Sequence, residues 1–196
     1  MLSIEEWAQE MLPQPVLGIM LLYEQSPVQV DFKKQQEETL NPEAVSKDVF
    51  YMKQFAHNAC GTIALFHIII NALNQYPDIV NPNSYLLKFR DEAMEKDPKA
   101  RGEIFEKSSD IKSEHKSASQ EGQSQVQAQV DSHFIAFIQK DGSLWEMDGL
   151  KKCPVNHGAC TGEELVAKGC VAIKEFMNRD PENLNFSMIV LAKNQQ

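Results

Sequence analysis

Cys60 sits where a polar approach, Asn58-Ala59, meets the first turn of an apolar helical run, and Gly61 and Thr62 follow it at once. A thiol at a helix N-terminus has its thiolate stabilised by the macrodipole and by backbone amides without intrahelical partners. The same amides can hold an oxyanion. Taken alone, a lone cysteine beside an apolar helix serves core packing as readily as chemistry. His133 opens a strand-like run and Asp148 closes the next one fifteen residues on, so adjacent antiparallel strands can set the two side by side. A thiol needs a base to take its proton and a third group to hold the imidazole in one tautomer. Cys60, His133 and Asp148 supply those three types from separate segments. Singly, His133 is an ordinary edge histidine and Asp148-Gly149 a turn; together with Cys60 they point to nucleophilic acyl chemistry. Gln54, six residues before Cys60, can offer its side-chain amide to an oxyanion, although by itself it is equally an ordinary loop glutamine.

Cys153, His157, Cys160 and Cys170 are a competing set of metal-ligand types. Their spacing lacks the paired C-x2-C knuckle of structural zinc sites, and Cys170 falls mid-helix among apolar neighbours. Scattered core and surface thiols are therefore favoured over zinc, and no metal or organic cofactor is expected. His67 lies within the apolar helix and reads as a satisfied core histidine; His57, His115 and His157 carry no signal on their own.

These side chains need a frame to hold them. Ser3 and Glu6 have capping-box spacing and open a short helix over residues 3–11, closed before Pro13 and Pro15. Residues 16–23 (VLGIMLLY) form a continuous apolar run, the pattern of a strand buried on both faces and central in a sheet. Residues 25–47 are polar and carry Pro27 and Pro42, which suggests a connection with one edge strand at 28–32; residues 48–53 are strand-like. From Cys60 to Gln75 the chain is apolar on nearly all sides, a core helix ended before Pro77. Helical spacing returns at 84–96 and 98–105. Residues 133–139 and 143–148 read as strands joined by hairpin chemistry at Lys140-Asp141-Gly142. Thr161 and Glu164 form a second capping box that opens a helix to Arg179, and residues 186–192 (FSMIVLA) read as a last buried strand. Between them, residues 106–131 are dominated by Ser, Gln, Lys and Glu and bury too little apolar surface to offset their ordering entropy. If the strands on either side share a sheet, this stretch is an excursion within one domain, of the kind used as a functional lid.

Composition narrows the setting. The chain has 196 residues, 42% hydrophobic and 24% charged, a size that suits one globular domain. With 19 Lys+Arg against 28 Asp+Glu the net charge is -9, which repels nucleic-acid phosphate and anionic lipid and suits a basic partner. The apolar run at 16–23 falls far short of the ~20 residues of a membrane helix, and no basic region precedes it as in a signal peptide. An intracellular protein with its four cysteines reduced is expected.

The segment MKQFAHNACGTIALFH, residues 52–67, resembles the active-site signature of the ubiquitin carboxyl-terminal hydrolases, which are papain-like cysteine peptidases. DSHFIAFIQKDGSLWEMDG, residues 131–149, is similar to that family's His and Asp segment, and PVNHG at 154–158 to the turn after it. LPQPVLGIMLLYEQSP near the start, the long polar stretch, and FMNRDPENLNFSMIVLA near the end extend the similarity over most of the chain.

The resemblance implies an α/β papain-like fold over residues 1–196, with a mostly antiparallel central sheet flanked by helices and residues 106–131 as a crossover loop draped over the active site. Carried over by position, Cys60 is the nucleophile, His133 the general base and acid, Asp148 the orienter of His133, and Gln54 the oxyanion donor beside the Cys60 amide. The implied activity is thiol-dependent hydrolysis of small or flexible adducts from the C-terminal glycine of ubiquitin, or of a ubiquitin-like relative such as NEDD8. A monomer in the cytoplasm, and also the nucleus, is expected. One departure stands out: family members have a further N-terminal strand and helical segment before the region matching Leu12 onward. Its absence implies a truncated or alternatively started form, with a sheet edge or apolar patch uncovered and ubiquitin binding weakened. The alternative reading is thus a weakly active ubiquitin-binding form.

Overall fold

The structure is a computed structural model describing residues 9–56, 58–111 and 131–194. Five strands form one sheet in the order β4-β3-β2-β1-β5, every neighbouring pair antiparallel. They are β1 Val16–Glu24, β2 Ser132–Lys140, β3 Ser143–Met147, β4 Val155–Ala159 and β5 Phe186–Ala192. The helices are α1 Pro27–Thr39, α2 Cys60–Ala72, α3 Tyr85–Ala93, α4 Pro98–Lys107 and α5 Leu165–Arg179.

β1 is central, as its unbroken apolar run predicts. Ile19, Leu21 and Tyr23 face one side, against Ile135, Phe137 and the α5 residues Leu165, Ile173 and Phe176. Met20 faces the other, with Ala136 and Ile138, against Ala64 and Ile68 of α2. Each fully buried Leu or Ile of this kind contributes about 1.5–3 kcal/mol. The other side of α2 packs through Ile63, Phe66 and Ile70 on Leu86 and Phe89 of α3 and Phe105 of α4. That double burial explains a helix apolar on nearly all sides. β1 pairs with β2, so the strands before and after the polar stretch share one sheet. The loop expected at 106–131 does not begin at 106: residues 106 and 107 end α4, residues 109–111 are helical with Ile111 buried in the core between α2, α3 and α4, and residues 112–130 lie outside the described residues. So does most of the helix expected at 3–11, of which Gln9 and Glu10 are helical.

Four elements depart from expectation. Residues 25–47 hold no edge strand; 28–32 belong to α1, whose Ser26 cap accepts from the Gln29 N–H and whose Pro27 occupies the first turn. Residues 48–53 are not a paired strand, and side chains of α2 and α4 satisfy much of their backbone instead. Residues 155–159 are the strand β4, not a turn. β5 is an edge strand with alternating exposure, Ile189 at 47%, and not a buried one. Its outer side has no strand partner among the described residues. The Thr161 and Glu164 box is half made: the Glu164 carboxylate accepts the Thr161 N–H at 2.9 Å, and the helix begins one residue later.

Candidate active site

Three elements deliver the three sequence-selected groups to one place. α2 starts at Cys60 with no side-chain cap from Ala59, so its first amides stay available to the thiol. β2 begins at Ser132, which makes His133 its second residue, opposite Tyr23 of β1. The β2–β3 register pairs Ala136 with Met147; extended by one residue it sets Asp148 opposite Ile135, diagonal to His133 on the same face of the sheet. The two are therefore diagonal neighbours and not side by side. Their side chains bridge the gap: His133 Nε2 donates to Asp148 Oδ1 at 2.7 Å, with Asp148 fully buried and His133 nearly so. The ring's other nitrogen, Nδ1, is not engaged by Asp148, and Cys60 and His133 lie close enough for each to shift the other's ionisation. Tyr23 stands edge-on to the imidazole, ring centroids 5.9 Å apart, and fixes its tilt.

The electrostatics follow from these contacts. Burial would raise the Cys60 thiol, but the hydrogen bond and charge of His133 and the N–H groups of Phe134 and Gly61 hold it below the ordinary thiol range. Burial would lower His133, yet its hydrogen bonds to Asp148 and Cys60 raise it. Burial likewise opposes ionisation of Asp148, and His133, Lys33 and Lys151 more than offset it, holding the carboxyl well below the usual carboxylate range. A thiol moved down beside an imidazole moved up favours the thiolate–imidazolium pair.

Gln54 is buried in the segment leading to α2, its N–H donating to the Gly149 carbonyl at 2.8 Å just past Asp148. Its side-chain amide donates to the Ala56 carbonyl at 3.0 Å.

Lys33 was not singled out from sequence. Its Nζ lies 2.7 Å from Asp148 Oδ2, the carboxylate oxygen turned away from His133. A charge inside a polar run carries no signal until the run is known to be helical, and the readable clue was Ser26-Pro27-Val28-Gln29, a cap with proline at the first helical position. Beside it, buried Glu146 ion-pairs with Lys151 and accepts from His157 at 2.9 Å, and Lys151 also reaches Gln36 of α1. The Cys153, His157, Cys160 and Cys170 set does not assemble: His157 meets Glu146, the Cys160 thiol donates to the Thr161 carbonyl, and Cys170 packs in the α5 core. No three His, Cys, Asp or Glu side chains among the described residues converge on a metal position, and no helix among them is long and apolar enough to cross a membrane.

A family model described as "Ubiquitin carboxyl-terminal hydrolase, family 1" matches residues 1–178. The chain is 36% identical over 192 residues to ubiquitin carboxyl-terminal hydrolase isozyme L1 of Rattus norvegicus, covering 98% of this chain and 85% of that protein. It is 34% identical over 199 residues to a ubiquitin carboxyl-terminal hydrolase of Drosophila melanogaster, covering 100% and 86%. The fold matches the UCH37 catalytic domain of Trichinella spiralis, solved bound to ubiquitin vinyl methyl ester, at a TM-score of 0.76 and 20% identity, over 100% of this chain and 84% of that one. The chain thus belongs to ubiquitin carboxyl-terminal hydrolase family 1, a family of cysteine hydrolases.

Proposed function

We propose that the protein is a deubiquitinating thiol hydrolase acting through Cys60, His133, Asp148 and Gln54. The observation that carries this reading is the line from Asp148 Oδ1 through the His133 ring to the Cys60 thiol, anchored by the 2.7 Å hydrogen bond. The Cys60 thiolate attacks the carbonyl carbon of ubiquitin's C-terminal glycine, forming a C–S bond while the oxygen gains the negative charge. The helix-start amide and the Gln54 side chain, released from the Ala56 carbonyl, donate to that oxygen. The His133 imidazolium gives its proton to the leaving amine, and the C–N bond breaks to leave a thioester. His133 then takes a proton from water, whose oxygen bonds to the thioester carbon as the C–S bond breaks, freeing ubiquitin's carboxyl and returning the Cys60 thiolate beside the His133 imidazolium.

The net charge of -9 suits a substrate with a basic tail, by steering the encounter. The polar stretch after α4, expected from its sequence to lie over the site, would pass small or flexible leaving groups and exclude folded ones by size. NEDD8 is a second substrate to test on the same grounds.

Release of a fluorophore from the C-terminus of ubiquitin by the reduced protein, with Cys60→Ala alongside, tests the reading. Turnover by the wild type and none by the variant is the expected result; a folded wild type as silent as the variant overturns it.

A further inference from the structure

The segment carrying Gln54 has no strand beside it among the described residues, and its backbone is satisfied in an unusual way. Asn71 of α2 accepts the Phe50 N–H at 2.9 Å and donates to the Phe50 carbonyl at 2.8 Å, taking the place of a neighbouring strand. One turn earlier, His67 Nε2 accepts the Met52 N–H at 3.0 Å. The Tyr51 carbonyl, pointing the other way, accepts from Arg101 of α4 at 3.0 Å, and the Lys53 N–H donates to Pro98 at 2.9 Å. Gln54 then bonds Gly149. The path is tight on both flanks: a Cβ on Gly102 would stand 2.2 Å from the Lys53 carbonyl oxygen, and one on Gly149 would stand 2.9 Å from the Gln54 Cβ.

His67 is the unexpected member. It has no exposed surface, stacks on Tyr51 at 5.2 Å, and its Nδ1 finds no hydrogen-bond partner among the described residues. With Nε2 accepting, the ring proton resides on that orphaned Nδ1. A buried polar atom left unsatisfied disfavours the fold, and an apolar side chain here would avoid it. What the imidazole provides in return is the acceptor for Met52. Burial pushes His67 down to about 3, so it stays neutral and keeps that acceptor at any working pH.

We infer that His67, with Asn71, is a positioning residue for the oxyanion donor: α2 carries Cys60 at its first residue and, seven and eleven residues on, two side chains that fix the register of the segment holding Gln54. Nucleophile and oxyanion donor are thereby indexed to one rigid helix. This rests on the hydrolase reading, in which Gln54 donates to the oxyanion. Removing an oxyanion donor costs about 10²–10³-fold in kcat, and a misplacement of about 1 Å costs about 10²-fold.

The test is a double-mutant cycle with the full chain and the ubiquitin–fluorophore substrate. His67→Leu removes the acceptor, His67→Gln offers an amide oxygen in its place, and Gly102→Ala disturbs the same segment from α4, so the inference does not depend on one variant folding. Each is measured alone and in a Gln54→Ala background. His67→Leu and Gly102→Ala are expected to lower kcat by about 10–100-fold with KM little changed. In the Gln54→Ala background each is expected to change kcat less than about twofold. His67→Gln is expected to recover most of the loss. The pH dependence of Cys60 alkylation by iodoacetamide, which needs no oxyanion donor, should stay as in the wild type. Equal losses in both backgrounds, or a shifted alkylation profile, would overturn the inference. Hydrogen exchange at residues 50–54 separates it from the hydrolase reading. Faster exchange there in His67→Leu with an inactive wild type leaves the clamp standing and refutes the activity, whereas unchanged exchange refutes the clamp itself.

Discussion

A carboxylate with no exposed surface ionises only through what touches it: Asp148 Oδ1 accepts from His133 at 2.7 Å and from the Leu150 N–H at 2.9 Å, and Oδ2 pairs with the Lys33 ammonium at 2.7 Å. The two act oppositely on the imidazole. Asp148 favours the imidazolium and Lys33 disfavours it, with Asp148 prevailing. Asp148→Asn is expected to lower kcat by about 10² or more, since the imidazole loses the anion that orients it. Lys33→Met removes a cation from both groups, so His133 moves further up and the alkaline limb of the kcat/KM profile shifts to higher pH; an unmoved or lowered limb would show that Lys33 is electrostatically silent. Cys60, His133 and Asp148 were legible because each lies at the edge of an element whose pattern is strong. Lys33 was not, because its partner is set by which face of α1 meets the sheet.

At the scale of elements, α1 was the principal miss. Pro27 and Pro42 read as loop punctuation, but Pro27 stands in the first turn, where a missing N–H costs nothing. The helix is fastened by polar contacts and not by an apolar stripe, which is why periodicity did not reveal it: Gln29 donates to the Phe176 carbonyl at 2.7 Å, and the Ser26 hydroxyl to Asp180 at 2.6 Å. Ser26→Ala is expected to cost about 1–2 kcal/mol, seen as a lower urea midpoint with unchanged slope. No change would mean that the cap is redundant. The segment at 48–53 failed for another reason. Its composition is that of a strand, but its pairing groups are the side chains of Asn71, His67 and Arg101. Composition reports the pleated, half-buried environment and not the identity of the partner. β5 was read as buried because its run is apolar; only the strand order shows that it closes the sheet.

At the scale of the whole molecule, the α/β class and the sharing of one sheet across the polar stretch were readable, whereas the order β4-β3-β2-β1-β5 was not, since hydrophobic runs do not name their neighbours. The buried titratable groups give the fold a pH signature. His67 is held to about 3 against about 6.5 in the unfolded chain, so the unfolded state takes up a proton first and stability falls as pH drops below about 6.5. The slope from this site approaches about 1.4 kcal/mol per unit. Glu146, buried but held to about 2 by Lys151 and His157, adds a further loss only below about 4.3. His133 has the opposite sign: raised in the fold, its contribution is complete below about 6.5 and lost as pH rises through its folded value. Urea titrations from pH 4.5 to 6.5 should therefore show stability rising with pH, with a flatter rise in His67→Gln; an identical slope in that variant would place the proton uptake elsewhere. The most direct test of the central claim is to react the reduced chain with ubiquitin carrying a C-terminal electrophile and map the adduct by peptide mass. The account expects one ubiquitin per chain, attached at Cys60 and lost in Cys60→Ala; attachment at Cys153, Cys160 or Cys170, or none on a folded chain, would contradict it.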